Sequence, residues 1–417
     1  MEKSKNLFLK NTFFLYLMNI IKLIFPFLTV PYLTRTLSTE SYGIVTYVKA
    51  LIVYVQLIVD FGFLLSSTKD IVFVREDRVK VGRITGDTLV EKGILSLGAM
   101  LLYFMGMLII PVMRKEILFC TLYFFSVIAT IFIFDFLFRG MEKMHLVAIP
   151  YVVSKTISTI LVFFLVRGDA DIIFIPTLEL IGNVIAAIIS YGFVRKLGIV
   201  LSFSSPQKWV NDIKESFVFF ISNFATTVFG ALTTVISGFF LSMSDIAYWG
   251  LCMQLLSAAK ALYNPITNSL YPHMLLHKDK RFINKINSIM AIPMIIGSIM
   301  VIFFGDSIMG IIGGVKYTTN TMVLKLLLPA FICSFYSMIY GWPVLGTIGM
   351  EKETSFTTIV ASIFQIIGLG ILIITNNFVL SGLAICSSFS ESLLFILRYA
   401  VYRKNRKKFT DGKEERG

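Results

Sequence analysis

Apolar runs of about twenty residues recur from one end of this 417-residue chain to the other. Each run, as a helix rising about 1.5 Å per residue, is enough to cross roughly 30 Å of hydrocarbon. In lipid every backbone N–H and C=O must be satisfied inside the segment, so the runs are read as helices. Composition agrees: the chain is 56% hydrophobic and 15% charged, with a mean hydropathy of +0.80, where soluble chains run about 25% charged. The expected fold class is all-α, a polytopic membrane protein.

The pattern predicts twelve spans, with approximate cores Phe13 to Leu33, Tyr42 to Leu64, Thr88 to Val112, Ile117 to Phe138, Leu146 to Val166, Ile172 to Val194, Phe217 to Leu241, Ala247 to Tyr271, Ile286 to Phe304, Met322 to Leu345, Phe356 to Thr375 and Phe378 to Tyr402. The first run lacks a small-residue cleavage site and is read as an uncleaved span. The longest inward connection, Arg195 to Ser216, divides the spans into two sets of six. The expected organisation is therefore a lobe over residues 1–200, a linker over 201–216, a second lobe over 217–402 and a basic tail over 403–417, with a central cavity between the lobes. Both sets start on the same side, as parallel repeats do. The turns "LSTESYG" from Leu37 and "LSMSDIAYWG" from Leu241 are alike at corresponding places.

A net charge of +13 raises the question of nucleic acid, but the basic residues sit in alternate loops. Lys3, Lys5, Lys10, the stretch Lys69 to Arg83, Arg139, Lys143, the stretch Arg195 to Lys214, the stretch Lys278 to Lys285, Lys352 and the tail from Arg403 to Arg416 fall on one side. The other side has only Arg35, Arg114, Lys115, Arg167 and Lys316. The positive-inside rule then puts both termini in the cytoplasm and leaves no nucleic-acid surface. Cys120, Cys252, Cys333 and Cys386 have no paired or metal-type spacing and read as small core residues. His273 and His277 share a helical face without an acidic or thiol partner, so with His145 they read as interfacial residues and no metal site is expected.

Polar residues inside the spans are not scattered. In "YGIVTYVKALIVYVQLIVDFGF" the residues Tyr42, Thr46, Lys49, Val53, Gln56 and Asp60 share one face at 100° per residue. Similar stripes run through Asn19, Lys22 and Thr29, through Glu179 and Asn183, through Asn223 and Thr227, and through Lys260, Asn264 and Thr267. Such stripes must face protein or water, and together they enclose a hydrated cavity. Lys92 and Lys325 lie near helix ends and can snorkel, Asp135 can pair with Arg139, and Glu391 with Arg398. Lys22, Lys155 and Lys260 lie too deep for that. Facing lipid they would cost about 8 to 10 kcal/mol together. Lys22, Lys49, Lys155 and Lys260 are therefore the candidate cationic lining, Asn19, Gln56, Asn223 and Asn264 the polar lining, and Asp60 and Glu179 candidate coupling or gating acids. The alternative for the lysines is internal salt bridges to Glu179 or Asp60. A cationic, watery centre suits an anionic passenger.

No Walker-type phosphate loop occurs, no catalytic constellation is visible, and the longest outward connection, Asp306 to Asn320, is too short for a catalytic domain. A carrier is favoured over an enzyme. No cofactor is called for, and Pro26, Pro265 and Pro293 offer bends for a gate.

The phrases "PYLTRTLSTESYGIV" from Pro31, "LIVDFGFLLSSTKDI" from Leu57, "FRGMEKM" from Phe138, "LYNPITNSLYP" from Leu262, "GGVKY" from Gly313 and "GWPVLGTIGMEKETS" from Gly341 occur in order across the spans. In these the chain resembles the Wzx-type polysaccharide flippases, within the multidrug/oligosaccharidyl-lipid/polysaccharide exporter superfamily, over essentially its whole length. It departs from them at Leu37-Ser38 and Lys69, in loops. The resemblance implies a passenger: an oligosaccharide on undecaprenyl pyrophosphate, as in O-antigen assembly, moved to the outer leaflet of the bacterial cytoplasmic membrane by alternating access. It further implies membrane lipids, a polysaccharide polymerase and a chain-length regulator as partners. The aromatics Tyr42, Tyr47, Tyr54, Trp249, Tyr263 and Tyr336 are candidates to stack on sugars or simply to pack. Alternatives are a multidrug or lipid II exporter of the same superfamily and, from another class, a polytopic glycan polymerase or ligase.

Overall fold

The computed structural model describes residues 2–409. Lys413 and Arg416 of the expected tail, and the side chains of Lys3, Lys5 and Lys10, lie outside what is described. The regular elements are helices throughout: α1 (Glu2–Thr36), α2 (Thr39–Asp60), α3 (Phe63–Val74), α4 (Arg78–Ile109), α5 (Pro111–Lys115), α6 (Ile117–Thr130), α7 (Asp135–Gly140), α8 (Met144–Leu165), α9 (Phe174–Lys196), α10 (Pro206–Thr227), α11 (Thr233–Ser237), α12 (Met243–His277), α13 (Lys280–Gly313), α14 (Met322–Leu326), α15 (Leu328–Ile339), α16 (Glu351–Ile374) and α17 (Leu380–Lys404).

Their ends are written in the sequence. Ser38 accepts from the Ser41 amide at the start of α2, Asp77 from the Val79 and Lys80 amides at α4, and Asp279 from the Arg281 amide at α13. Each short polar side chain satisfies donors that the first turn leaves open. The expected second span breaks before its end, where Phe61 (φ 40°) and Gly62 (φ 86°) turn left-handed and α3 begins. The fourth breaks likewise at Phe134 (φ 44°).

Among the described residues ten helices are long and apolar enough to cross a membrane, or eleven if the broken pair around α10 and α11 counts as one. That is fewer than the twelve expected by hydropathy. The eighth expected span is the 35-residue α12, ample in length, but Gln254, Lys260 and Asn264 dilute its apolarity. The expected outward loop Asp306 to Asn320 is also shorter than thought, because α13 runs on to Gly313 and a 3₁₀ turn covers Val315–Asn320.

The chain divides into two compact units, Met1–Phe224 and Ala225–Gly417. The first has a core of Phe134, Phe136, Leu137 and Phe138 packed on Ile71, Val81 and Val147. The second packs Tyr263, Phe335, Ile339, Val344 and Leu345 together. Large apolar side chains outside these cores face outward: Ile292 is 62% and Phe303 75% exposed on α13. In water such a surface would be a liability, and in hydrocarbon it is the solvated face. Cys120, Cys252 and Cys386 are buried, Cys333 is half-buried, and none is paired. His273 stacks 3.9 Å from the Phe282 ring, and no cluster of metal-ligating side chains occurs among the described residues.

Candidate functional site

In the first unit, α1, α2, α6, α8 and α9 surround a hollow of about 360 Å³. Three lysines and one glutamate line it: Lys22 from α1, Lys49 from α2, Lys155 from α8 and Glu179 from α9. Its remaining lining mixes Thr29, Ser158, Thr159, Tyr123 and Tyr151 with aliphatic side chains.

Close helix packing shapes the walls. A Cβ at Gly182 would lie 2.4 Å from Ser158 Oγ and 3.1 Å from the Ser154 carbonyl, so α9 approaches α8 as only glycine allows. The Ser158 hydroxyl donates to the Ser154 and Leu178 carbonyls, each at 2.9 Å. Asn183 ties α9 to α6, donating from Nδ2 to Ser126 Oγ at 2.9 Å and to the Ser126 carbonyl at 3.1 Å. Hydrogen bonds of this kind are how polar side chains join helices where water is scarce.

The lysines differ in their company. Lys155 Nζ pairs with Glu179 Oε1 at 3.2 Å. Lys22 Nζ lies 5.4 Å from the centroid of the Tyr151 ring, a cation–π arrangement. Lys49 sits within electrostatic range of both Lys155 and Glu179. Among the described residues neither Lys22 nor Lys49 forms an ion pair, and both are exposed by area although each stands midway along a helix. The space they reach is the hollow. Three ammonium groups against one carboxylate leave an excess of two positive charges there.

The other sequence candidates lie elsewhere. Gln56 Nε2 donates to Asp60 at 2.7 Å and to Thr130 Oγ1 at 3.2 Å, and Asp60 pairs with Lys92 at 2.7 Å. Lys92 is thus buried in a salt bridge and does not snorkel, because Asp60 supplies a counter-charge one helix away. Lys260 is in the second unit, paired with Glu391 of α17. Glu391 is therefore not the partner of Arg398, whose guanidinium instead donates to the Ser337 carbonyl at 2.6 Å and to Thr358 Oγ1 at 2.9 Å. Asp135 and Arg139 form no ion pair within 4.0 Å among the described contacts. Asn19, Asn223 and Asn264 are exposed, and none lines the lysine hollow.

The aromatic expectation also shifts. Tyr42 and Tyr47 are buried in packing, Trp249 donates to Thr234 Oγ1 at 3.2 Å, and Tyr263 lines a separate, largely apolar hollow of about 320 Å³ in the second unit. Tyr123 and Tyr151 are the tyrosines at the lysine hollow, and the Tyr123 hydroxyl has no hydrogen-bond partner among the described residues. Sequence reasoning missed Tyr123 because it stands in "TLYFFSV", where no polar stripe marks it. The periodicity of α8 does place Tyr151 one turn from Lys155.

An all-helical membrane chain with an internal, charged hollow has the build of a transporter, and the fold is that of polytopic membrane transporters. It matches the inward-facing conformation of a multidrug resistance MATE family transporter of the MOP superfamily, with a TM-score of 0.69 at 12% identity, over 94% of this chain and 99% of the other. It also matches the lipid II flippase MurJ in an inward closed conformation, with a TM-score of 0.65 at 14% identity, over 95% and 87%. The family described as polysaccharide biosynthesis protein matches residues 8–275, and this chain belongs to that family. It is 30% identical over 338 residues to a "Putative O-antigen transporter" of Shigella dysenteriae, covering 78% of this chain and 83% of that one. A protein of the same description from Escherichia coli K12 is 25% identical over 97% and 99%.

Proposed function

We propose that this protein is a flippase that moves an oligosaccharide linked to undecaprenyl pyrophosphate, an O-antigen or similar repeat unit, from the inner to the outer leaflet of the bacterial cytoplasmic membrane. The observation that carries the reading is the hollow in which three lysines face one glutamate. Lys22 and Lys49 have no counter-charge of their own there and meet the diphosphate, Lys155 joins them when Glu179 releases it, and Tyr151 and Tyr123 offer a ring face and a hydroxyl to sugar. Its two relatives described as "Putative O-antigen transporter" support a glycan passenger. A cation exporter would need the opposite sign of charge in its interior.

Two six-helix lobes, residues 1–200 and 217–402, alternate access around the path, with both termini in the cytoplasm. The polyprenyl tail stays in hydrocarbon. Carrying about two negative charges out of a cell that is negative inside releases about 2.3 kcal/mol per charge per 100 mV, so the membrane potential biases the direction.

The test is alanine substitution at Lys22 and at Lys49, scored by surface glycan and by protein level in the membrane. Export lost at normal abundance supports the reading, and unchanged export at normal abundance refutes it.

A further inference from the structure

The second hollow lies within the second unit, among α12, α13, α14 and α15, and the transport path has no use for it. Two of its walls carry small side chains. Ala259 of α12 and Gly297 of α13 line it, and a Cβ at Gly297 would lie 3.8 Å from the Phe331 ring of α15, an ordinary contact distance. Pro293, one turn before Gly297, removes a backbone donor from α13. Two turns after Gly297, at Phe304 (φ −116°, ψ 17°), the same helix leaves helical geometry.

The only polar side chain in the lining is that of Tyr263, and its hydroxyl shares a hydrogen bond with Ser334 Oγ at 2.5 Å. Lys260, next to Ala259 in sequence, is engaged by Glu391 of α17 and does not line the hollow. Water needs several polar partners to stay in such a place and finds none free. The mouth faces outward: Leu262, which lines the hollow, is 73% exposed, and Ile292, Ile295 and Ile299 stand exposed between the lining positions of α13. Met294 and Leu327, 4% and 2% exposed, are its floor. α13 is long and apolar enough to cross a membrane, so the medium at the mouth is hydrocarbon. A wall without partner atoms forfeits its dispersion contacts, and a chain from that medium gains them by entering. The hollow of about 320 Å³ has room for about ten groups the size of a water, at about 30 Å³ each. That suits the end of one straight acyl chain better than a methyl-branched and far longer undecaprenyl chain.

We propose that this hollow is a binding site for one acyl chain of a bilayer phospholipid, whose glycerol and headgroup stay outside while the chain end lies between α12, α13 and α15, against Tyr263 and Phe331. The chain takes the place of the side chains that Ala259 and Gly297 lack, and so sets the spacing of α12 and α13. It is a resident lipid, distinct from the passenger, and its site is the same whatever the transported molecule is.

Photolabelling reads the occupancy directly. The full-length protein in nanodiscs of phosphatidylethanolamine and phosphatidylglycerol is illuminated with a phospholipid that carries a diazirine near its acyl-chain end, and the adducts are mapped by mass spectrometry. Adducts at Met294 and Leu327, which the open bilayer does not reach, are expected at least as often as at the exposed Ile292. Gly297→Leu, which fills the hollow, lowers the adducts at Met294 and Leu327 about tenfold and leaves those at Ile292 unchanged. Ala259→Leu fills the same space from α12 and serves as the second variant if G297L does not fold. A polyprenyl phosphate with the same diazirine labels Ile292 and spares the floor. An unlabelled floor, a floor label that the filled variant leaves in place, or a floor labelled more heavily by the polyprenyl probe than by the phospholipid overturns the proposal.

Discussion

An ammonium halfway along a membrane helix is tolerated only where water or a counter-charge reaches it. Lys22 and Lys49 meet that condition through the hollow, Lys155 through Glu179, Lys92 through Asp60 and Lys260 through Glu391. These are two kinds of lysine with two kinds of expected mutant. Alanine at Lys22 or Lys49 removes charge from the hollow and breaks no ion pair, so surface glycan falls about tenfold or more while membrane abundance holds, the equivalent of about 1.4 kcal/mol per lost contact. Alanine at Glu179 alone leaves Lys155 without its partner. The pair is about a third exposed (31% and 29%), so the loss is about 1 to 2 kcal/mol, less than for a fully buried pair. A lower melting temperature for E179A, recovered in K155A/E179A, is the expected result in a detergent-solubilised thermal scan. The depth of these lysines in their spans was legible from spacing alone. Glu179 stood among the partners the sequence offered, and Lys155 takes it; the partner of Lys260 was not legible, since Glu391 is 131 residues away and no helical periodicity links them.

At the scale of the element, the wall between α8 and α9 depends on Gly182. Alanine there sets a methyl 2.4 Å from Ser158 Oγ and 3.1 Å from backbone, and the helices must part. The expected cost is about 1 to 3 kcal/mol, read as a lower melting temperature together with weaker glycan export. Gly182→Ala combined with Ser158→Ala recovers only part of it, because the Ser154 hydroxyl at 2.8 Å and the Ser154 carbonyl at 3.1 Å remain. Helix identity followed from hydrophobic runs, and most boundaries fell within a few residues of the expected cores. The exceptions have physical causes. α2 ends at Asp60 because Phe61 and Gly62 turn left-handed, and α12 starts at Met243, ahead of its apolar run, because Ser242 caps it by accepting from the Asp245 amide. Tyr123 was equally invisible, since a tyrosine amid phenylalanines reads as core until its neighbours in space are known.

For the molecule as a whole, the inverted distribution of polarity is the governing fact: apolar side chains outside, ammonium groups within. Composition alone revealed the first half. The polar stripes foretold an interior, though the lysine hollow they led to lies inside the first unit, and only Lys22, Lys49, Lys155 and Glu179 of the named candidates line it. On the proposed orientation, with the basic loops and both termini in the cytoplasm, a phosphatase reporter fused at Gly417 stays inactive while one inserted after Arg167 is active. The proposed export of an anion down the potential makes a further prediction: collapsing the membrane potential slows translocation of the diphosphate lipid and leaves a lipid with a neutral headgroup unaffected. The most direct measurement is flipping of a labelled polyprenyl diphosphate oligosaccharide in vesicles holding equal amounts of wild-type or K22A/K49A protein. The account predicts that wild type moves the lipid and that the variant is slower by about tenfold or more, whereas equal rates would contradict it.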